Sequence, residues 1–223
     1  RRIALVSKMT NAEIVLVEVG GTVGDIESQP FLEAIRQLRS DMGRENSFFT
    51  HVTWLPFIGA TGELKTKPTQ HSVRELRSLG ITPDMIVARS DTPIEDEICD
   101  KIAQFCDVEK RAVIPMVTAP IFYEIPLLLE KARVADFIVE RLSLKPGKKP
   151  NWKAWEKLVH ETRKEKPSVT IALVGKYVEL HDAYISVREA LKHAALAVGV
   201  KLDLRWVHSV DLEKGSIEEK LGD

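Results

Sequence analysis

The stretch IVLVEVGGTVGDIESQPFLEA, Ile14–Ala34, decides how this chain is read. Its first four residues, Ile14 to Val17, are an unbroken apolar run and predict a buried strand over Glu13–Val19. A carboxylate, Glu18, stands at the end of that run. Gly20, Gly21 and Gly24 follow, then Asp25 and Glu27. A helix is predicted from Pro30, with Phe31, Ile35, Leu38 and Met42 at helical spacing and Ser28 as its cap. Strand, glycine-rich acidic turn and helix together open an α/β unit.

The rest of the chain repeats that alternation. Further strands are predicted at Ser47–Leu55, Met85–Arg89, Ala112–Met116, Val169–Gly175 and Lys201–Val207. Between them, Val73, Leu76 and Leu79 mark a helix closed by Gly80. Ile94, Ile98, Ile102 and Phe105 mark another. Unbroken apolar strands alternating with helices predict a parallel sheet covered on both faces. In such sheets ligands bind outside the carboxyl ends of the strands, where the Glu18–Glu27 loop is expected.

LKPGKKPNW, Leu144–Trp152, reads as a linker. An amphipathic helix follows over Trp152–Arg163, with Trp155, Leu158 and Val159 as its apolar face. After a second break, KEKPS at Lys164–Ser168, a fresh strand begins, followed by a helix expected to be capped by Asp182. The expected domains are 1–145 and 169–223, with 146–168 as a linker containing a helix.

Composition narrows the function. The 223 residues carry 32 basic and 33 acidic side chains, a net charge of -1. That balance gives no electrostatic case for nucleic acid. No apolar run reaches the roughly 18 residues of a membrane span. Cys99 and Cys106 stand seven apart on one helix face, about two turns, too far for a bridge. They read as reduced, packed thiols of a cytoplasmic protein. The chain opens at Arg1 and stops at Asp223 in sequence that reads as the interior of a longer protein.

Two constellations carry chemistry. Glu18, directly after apolar residues, is expected to be partly buried, and a buried carboxylate needs a cation or donors. A magnesium ion carried by a nucleotide would supply one. Asp25 and Glu27 have a plainer reading, as acids favouring the positive end of the next helix. The second constellation is GELKTKPTQHS, Gly62–Ser72. Two ammonium groups, two hydroxyls and a helix start make a phosphate-binding arrangement; the plainer reading is a solvated basic turn. It follows a strand and is expected at the same sheet edge as Glu18. Lys101 reads as solvated, opposite the Ile98–Ile102–Phe105 stripe. Arg89 ends a strand at the ligand edge, or pairs with Asp91 for structure. His51, His71 and His193 show no metal or triad spacing, and Trp152 and Trp155 read as core anchors.

At these loops the chain resembles the CTP synthase family. The resemblance rests on VEVGGTVGDIESQPFLEAIRQ and GELKTKPTQHSV, supported by LGITPDMIVARSD and VGKYVELHDAYISVREALKH, and covers essentially all 223 residues. It implies the latter part of a P-loop amidoligase (synthetase) domain over 1–145, the 146–168 linker, and the start of a class I glutamine amidotransferase α/β domain over 169–223. The implied reaction is ATP-dependent amination of UTP to CTP with glutamine-derived ammonia, in a cytoplasmic homotetramer. CTP is implied as feedback inhibitor and GTP as a candidate activator. By resemblance Glu18 is the magnesium ligand. Asp25, Ile26, Glu27, Glu33, Lys65, Thr66, Lys67, Pro68, Thr69, Gln70 and Lys101 bind UTP or CTP, across a subunit interface for Lys65 to Gln70. Arg89, Val117, Thr118 and Ala119 lie near ATP. No catalytic residue falls within these residues: no G-x-x-x-x-G-K-[ST] occurs, and the glutaminase nucleophile is not among them. Two other readings share these features. One is a related P-loop amidoligase; the other is a non-catalytic nucleotide-binding or filament-forming module.

Overall fold

The computed structural model describes residues 2–215 together with Ile217 and Leu221. Arg1 and Asp223, the two ends from which the reading as a longer protein starts, lie outside that range. The chain divides into two compact units, at Lys149 and Pro150.

The first unit opens with helix α1 (Arg2–Thr10), then α2 (Gln29–Met42) and strand β1 (Thr50–Trp54). A short hairpin follows, β2 (Phe57–Ile58) and β3 (Glu63–Leu64), leading into α3 (Lys67–Ser78). Then come β4 (Met85–Ser90), α4 (Asp96–Cys106), β5 (Val113–Val117), α5 (Ile125–Lys131) and α6 (Val134–Arg141). Strands β1, β4 and β5 form a parallel sheet in that order. Trp54 is registered with Arg89, and Arg89 with Met116, so the three carboxyl ends lie side by side.

The sheet is covered on both faces, as the apolar strands predict. Strand residues alternate between faces. Leu55, Ile86, Ala88 and Val113 pack with Val73 of α3 and Cys99, Ile102, Ala103 and Cys106 of α4. Met85, Ile114 and Met116 pack with Val134 and Phe137 of α6. A third cluster joins Leu32 of α2 to Leu76 and Ile81.

Three expectations are corrected in this unit. Glu13–Val19 is not a strand: it has no ladder partner among the described residues, Ile14 is 65% exposed and Leu16 93%. A parallel strand needs a neighbour for its backbone groups, and β1, at the sheet's edge, pairs only with β4. Ile94, Ile98 and Ile102 pack into the core with Cys99, Ala103 and Cys106 as their spacing predicts, but Phe105, expected on the same stripe, is 57% exposed. Ser28 does not cap α2; its hydroxyl donates to the Asp25 carbonyl at 2.9 Å. The two cysteines are buried and unbridged, as expected. Burial raises both thiols above their ordinary range, the larger cause in each case.

The second unit holds α7 (Lys153–Arg163), β6 (Ser168–Gly175), α8 (Ile185–Val198), β7 (Lys201–His208) and α9 (Ser209–Lys214). Strands β6 and β7 pair in parallel over their full lengths. Asp182 does not cap α8. It lies in a 3-10 turn, His181–Tyr184, and the helix begins after Tyr184 with no side-chain cap. The Tyr184 hydroxyl instead accepts from the amides of Lys176 and Tyr177, at 3.0 and 3.2 Å.

Among the described residues no helix is long and apolar enough to cross a membrane.

Candidate functional site

The carboxyl edge of the β1–β4–β5 sheet gathers one part of the expected constellation. After β1 the hairpin turns the chain back, and the Lys65 amide donates to the Pro56 carbonyl at 3.0 Å. That fixes the Lys65–Thr66 turn directly before α3. Pro68 stands in the first turn of the helix, where a missing N–H costs nothing. The side chains of the segment then divide. Lys67 and Pro68 are exposed and Lys65 half-exposed. Thr66 and Thr69 are buried. Gln70 Nε2 donates to Thr66 Oγ1 at 3.0 Å, and Thr69 Oγ1 donates to Thr53 Oγ1 at 3.0 Å.

The charge at this turn is paired. Lys65 Nζ donates to Glu63 Oε1. That bond holds the Glu63 carboxyl below its ordinary range, and the positive charge of Lys101 adds to the effect. Lys101 is exposed on α4. The structure thus brings Lys65, Glu63 and Lys101 into one electrostatic neighbourhood, although Lys101 lies 36 residues beyond Lys65 in sequence.

Beside this turn lie the strand ends. The Arg89 guanidinium sits over the Trp54 ring at 5.7 Å, and this contact, not Asp91, is its neighbour. Asp91 Oδ1 instead accepts from Thr118 Oγ1 at 2.8 Å, and the Thr118 amide donates to the Ser90 carbonyl at 2.8 Å. Val117, registered with Ser90, and Thr118 are therefore tied to the end of β4, and Ala119 follows them directly in the chain.

The acidic loop stands apart from this cluster. Glu18 is exposed, not partly buried. The Thr22 amide donates to Asp25 Oδ2 at 2.7 Å and the Asp25 amide donates to the Thr22 carbonyl at 3.0 Å, which closes a tight turn. Gly21 precedes it and Gly24 stands within it, at φ +88° and +108°, a backbone that side chains rarely adopt. Ile26 and Glu27 are exposed. Val19 and Val23 pack onto the cluster containing Leu76, and a side-chain carbon at Gly24 would lie 3.9 Å from Glu75 Cγ. The loop thus leans on the second half of α3, whereas Lys65–Gln70 form its start. Eight residues of helix separate Lys67 from Glu75, roughly 12 Å. Among the described residues no hydrogen bond or ion pair joins the two segments. Glu33 is engaged on its own helix, paired with Arg36 at 2.7 Å and bonded by Gln37 at 2.7 Å.

Among the described residues no three His, Cys, Asp or Glu side chains are grouped to cage a metal ion. Glu18 is a single exposed carboxylate, without the burial that would itself call for a cation.

The opposite, amino edge holds a feature that sequence reasoning missed. The Asp84 side chain is buried there, 4% exposed. Its Oδ1 accepts from Arg39 and Arg141, each at 2.9 Å, and its Oδ2 accepts from the Phe49 amide at 2.8 Å. A cavity of about 590 Å³ opens beside it, lined by Asp84, Phe137 and Arg141 among others. It lies at the amino ends of the strands, away from the edge where parallel sheets bind ligands. The partners of Asp84 stand 45 and 57 residues away in sequence, so no local signal announces them.

A parallel sheet with helices on both faces, and a lysine-bearing helix start at its carboxyl edge, defines an α/β domain of the class whose ligands sit outside the strand ends. Residues 1–144 match the family model described as CTP synthase N-terminus. The chain is 58% identical over 222 residues to a CTP synthase of Roseiflexus castenholzii, covering 100% of this chain and 40% of that protein. It is 57% identical over 222 residues to one from Roseiflexus sp., with the same coverage, and 56% identical over 213 residues to one from Chloroflexus aurantiacus, covering 96% of this chain and 39% of that protein. The chain belongs to the CTP synthase family. It spans about 40% of the length of these relatives.

Proposed function

We propose that this chain supplies the pyrimidine-nucleotide part of an enzyme that aminates UTP to CTP, using ATP and glutamine-derived ammonia. The single observation that carries the reading is the start of α3. Lys65 and Lys67 stand at a helix N-terminus on the carboxyl edge of a parallel sheet, with Lys101 nearby. Three ammonium groups and a helix start suit the triphosphate of UTP. In this reading residues 1–145 are synthetase, 146–168 linker, and 169–223 the beginning of a class I glutamine amidotransferase domain.

The chemistry asks for positive charge at two places, the triphosphate of UTP and the uracil 4-oxygen. Phosphorylation of the uracil 4-oxygen builds negative charge, which nearby cations lower in energy. Ammonia then displaces the phosphate. Lys65 and Lys67 hold the nucleotide while this happens; Glu63, the partner of Lys65, competes with the ligand for it. Arg89 and the Val117–Ala119 backbone lie where the base of ATP is received. Glu18 offers one carboxylate to magnesium, which when bound neutralises phosphate charge. The Asp25–Glu27 turn sits about a dozen ångströms along α3 from Lys67, and this separation supports a pyrimidine site completed by a neighbouring subunit, with Lys65–Gln70 from one copy and Asp25–Glu27 from another. A cytoplasmic homotetramer inhibited by CTP, with GTP as a candidate activator, belongs to this reading.

The test is UTP binding by calorimetry on the complete gene product. Lys67→Ala removes charge-assisted hydrogen bonds of about 1.5–3 kcal/mol, so the dissociation constant rises roughly ten- to a hundredfold. An unchanged constant removes the assignment.

A further inference from the structure

Helix α3 meets strand β1 through paired polar side chains as well as apolar contact. Thr69 Oγ1 donates to Thr53 Oγ1 at 3.0 Å, and both residues are buried. One helical turn further on, Ser72 Oγ lies 2.9 Å from His51 Nε2. His51 and Thr53 stand two apart on a strand, hence on one face; Thr69 and Ser72 stand three apart on a helix, hence on one face. Two periodicities coincide, and both polar pairs close in a single register.

That coincidence has a mechanical consequence. Apolar burial is non-directional. Val73 and Leu55 fill the same core, and such contact sets the helix position less sharply than a directional bond does. A hydroxyl pair is directional. A slip of the helix leaves both hydroxyls, and the half-buried His51 ring, without partners in an apolar layer. The residues that follow the hairpin are therefore held in place from behind.

We propose that the Thr53–Thr69 and His51–Ser72 pairs form a clasp that sets the position of the α3 start, and that Thr53, His51 and Ser72 are positioning residues for the pyrimidine nucleotide. The proposal rests on the reading of Lys65–Gln70 as the UTP segment. Thr69 lies inside that segment, yet is 1% exposed with its hydroxyl turned to Thr53. Thr66 likewise faces inward, bonded by Gln70. The hydroxyls of the segment give it a fixed place, and the ammonium groups of Lys65 and Lys67 meet the ligand.

Steady-state CTP formation by the complete gene product tests this. Thr53→Val keeps the shape and removes the hydroxyl. It raises the KM for UTP about tenfold, with kcat and the KM for ATP unchanged within about twofold. Thr53→Ser, which keeps the hydroxyl, restores the KM. Ser72→Ala moves the KM for UTP in the same direction as Thr53→Val. A lowered Tm with an unchanged KM for UTP, or equal rises for UTP and ATP, overturns the clasp. If Thr53→Val does not fold, Ser72→Ala decides alone, and an unmoved KM there overturns it. Lys67→Ala separates the two readings. A raised KM in Lys67→Ala with none in Thr53→Val and Ser72→Ala removes the clasp and keeps the UTP segment. No change in Lys67→Ala removes the segment, and the clasp's role with it.

Discussion

Glu33 lies on the exposed face of α2, one turn from its start, where a carboxylate would ordinarily titrate as it does in water. It does not, because Arg36 offers both Nε and a terminal nitrogen to its two oxygens, at 2.7 and 2.8 Å, and Gln37 adds a third donor. The Arg36 hydrogen bond, followed by that of Gln37, lowers its pKa from 4.5 to about 2. The sign follows from the folded value lying below the unfolded one. The pair's contribution is complete above about pH 4.5, and fades as the pH falls through about 2. An NMR titration of the Glu33 side chain is therefore expected to show a midpoint near 2, returning toward 4.5 in Arg36→Ala. A midpoint near 4.5 in the unsubstituted protein would show that this exposed pair does not persist in solution.

Helix α3 organises the first unit, because its start, its inner face and its end each carry a different duty. Its end is a Schellman motif: the Ile81 amide reaches the Leu76 carbonyl at 3.1 Å and the Gly80 amide the Arg77 carbonyl at 2.8 Å. Ile81 and Leu76 pack in the same cluster, the usual hydrophobic companion of that motif. Gly80 has φ +80°, and a side-chain carbon there would come within 2.9 Å of Arg36 Cδ. Gly80→Ala is expected to lower stability by about 1–2 kcal/mol from the left-handed backbone alone, read by chemical denaturation; a neutral result would mean that the turn rearranges without cost. Much of this helix was legible in sequence. Val73 and Leu76 mark the buried side, and a glycine after the last periodic residue marks the stop. Strands β4 and β5 were legible for the same reason, as short apolar runs between turn residues. What was not legible depends on partners distant in sequence. The run Ile14–Val17 is apolar enough for a buried strand, but hydrophobicity does not state whether a neighbouring strand exists. In α4 the spacing of Ile98 and Ile102 marks the packed side correctly, but Phe105 lies off it, because the small Cys99, Ala103 and Cys106 complete that side. Within the candidate site the lysines were visible as charges. The inward turn of Thr66 and Thr69 was not, because Thr53 lies 16 residues from Thr69.

At the scale of the whole chain the informative feature is the seam between the two units. The first ends with α6 at Arg141 and the second begins with α7 at Lys153. Between them, Leu144–Asn151 has no regular structure and is exposed throughout. The family match ends at residue 144, and the division into compact units falls between Lys149 and Pro150. The amphipathic helix that the sequence reading included in the linker thus lies in the second unit. Exposed backbone without hydrogen-bonded structure is where proteases enter, and the local sequence narrows trypsin to one bond. Lys145 and Lys149 each precede a proline, which blocks cleavage, so within this stretch only the Lys148–Lys149 bond is open. Arg141, Lys153 and Lys157 lie in helices, and the nearest competitor outside regular structure, after Lys164, is followed by the acidic Glu165, with its ammonium paired with Glu161 at 2.6 Å. Brief digestion followed by mass spectrometry is therefore expected to yield first a fragment ending at Lys148 and another beginning at Lys149. UTP bound at the start of α3 leaves that rate unchanged, because the seam is no part of the proposed nucleotide segment. A first cut after Lys65 in the absence of UTP, suppressed by its addition, would instead show that the Glu63–Thr66 turn opens more readily than the seam, and that the clasp beneath it holds the helix without holding the turn.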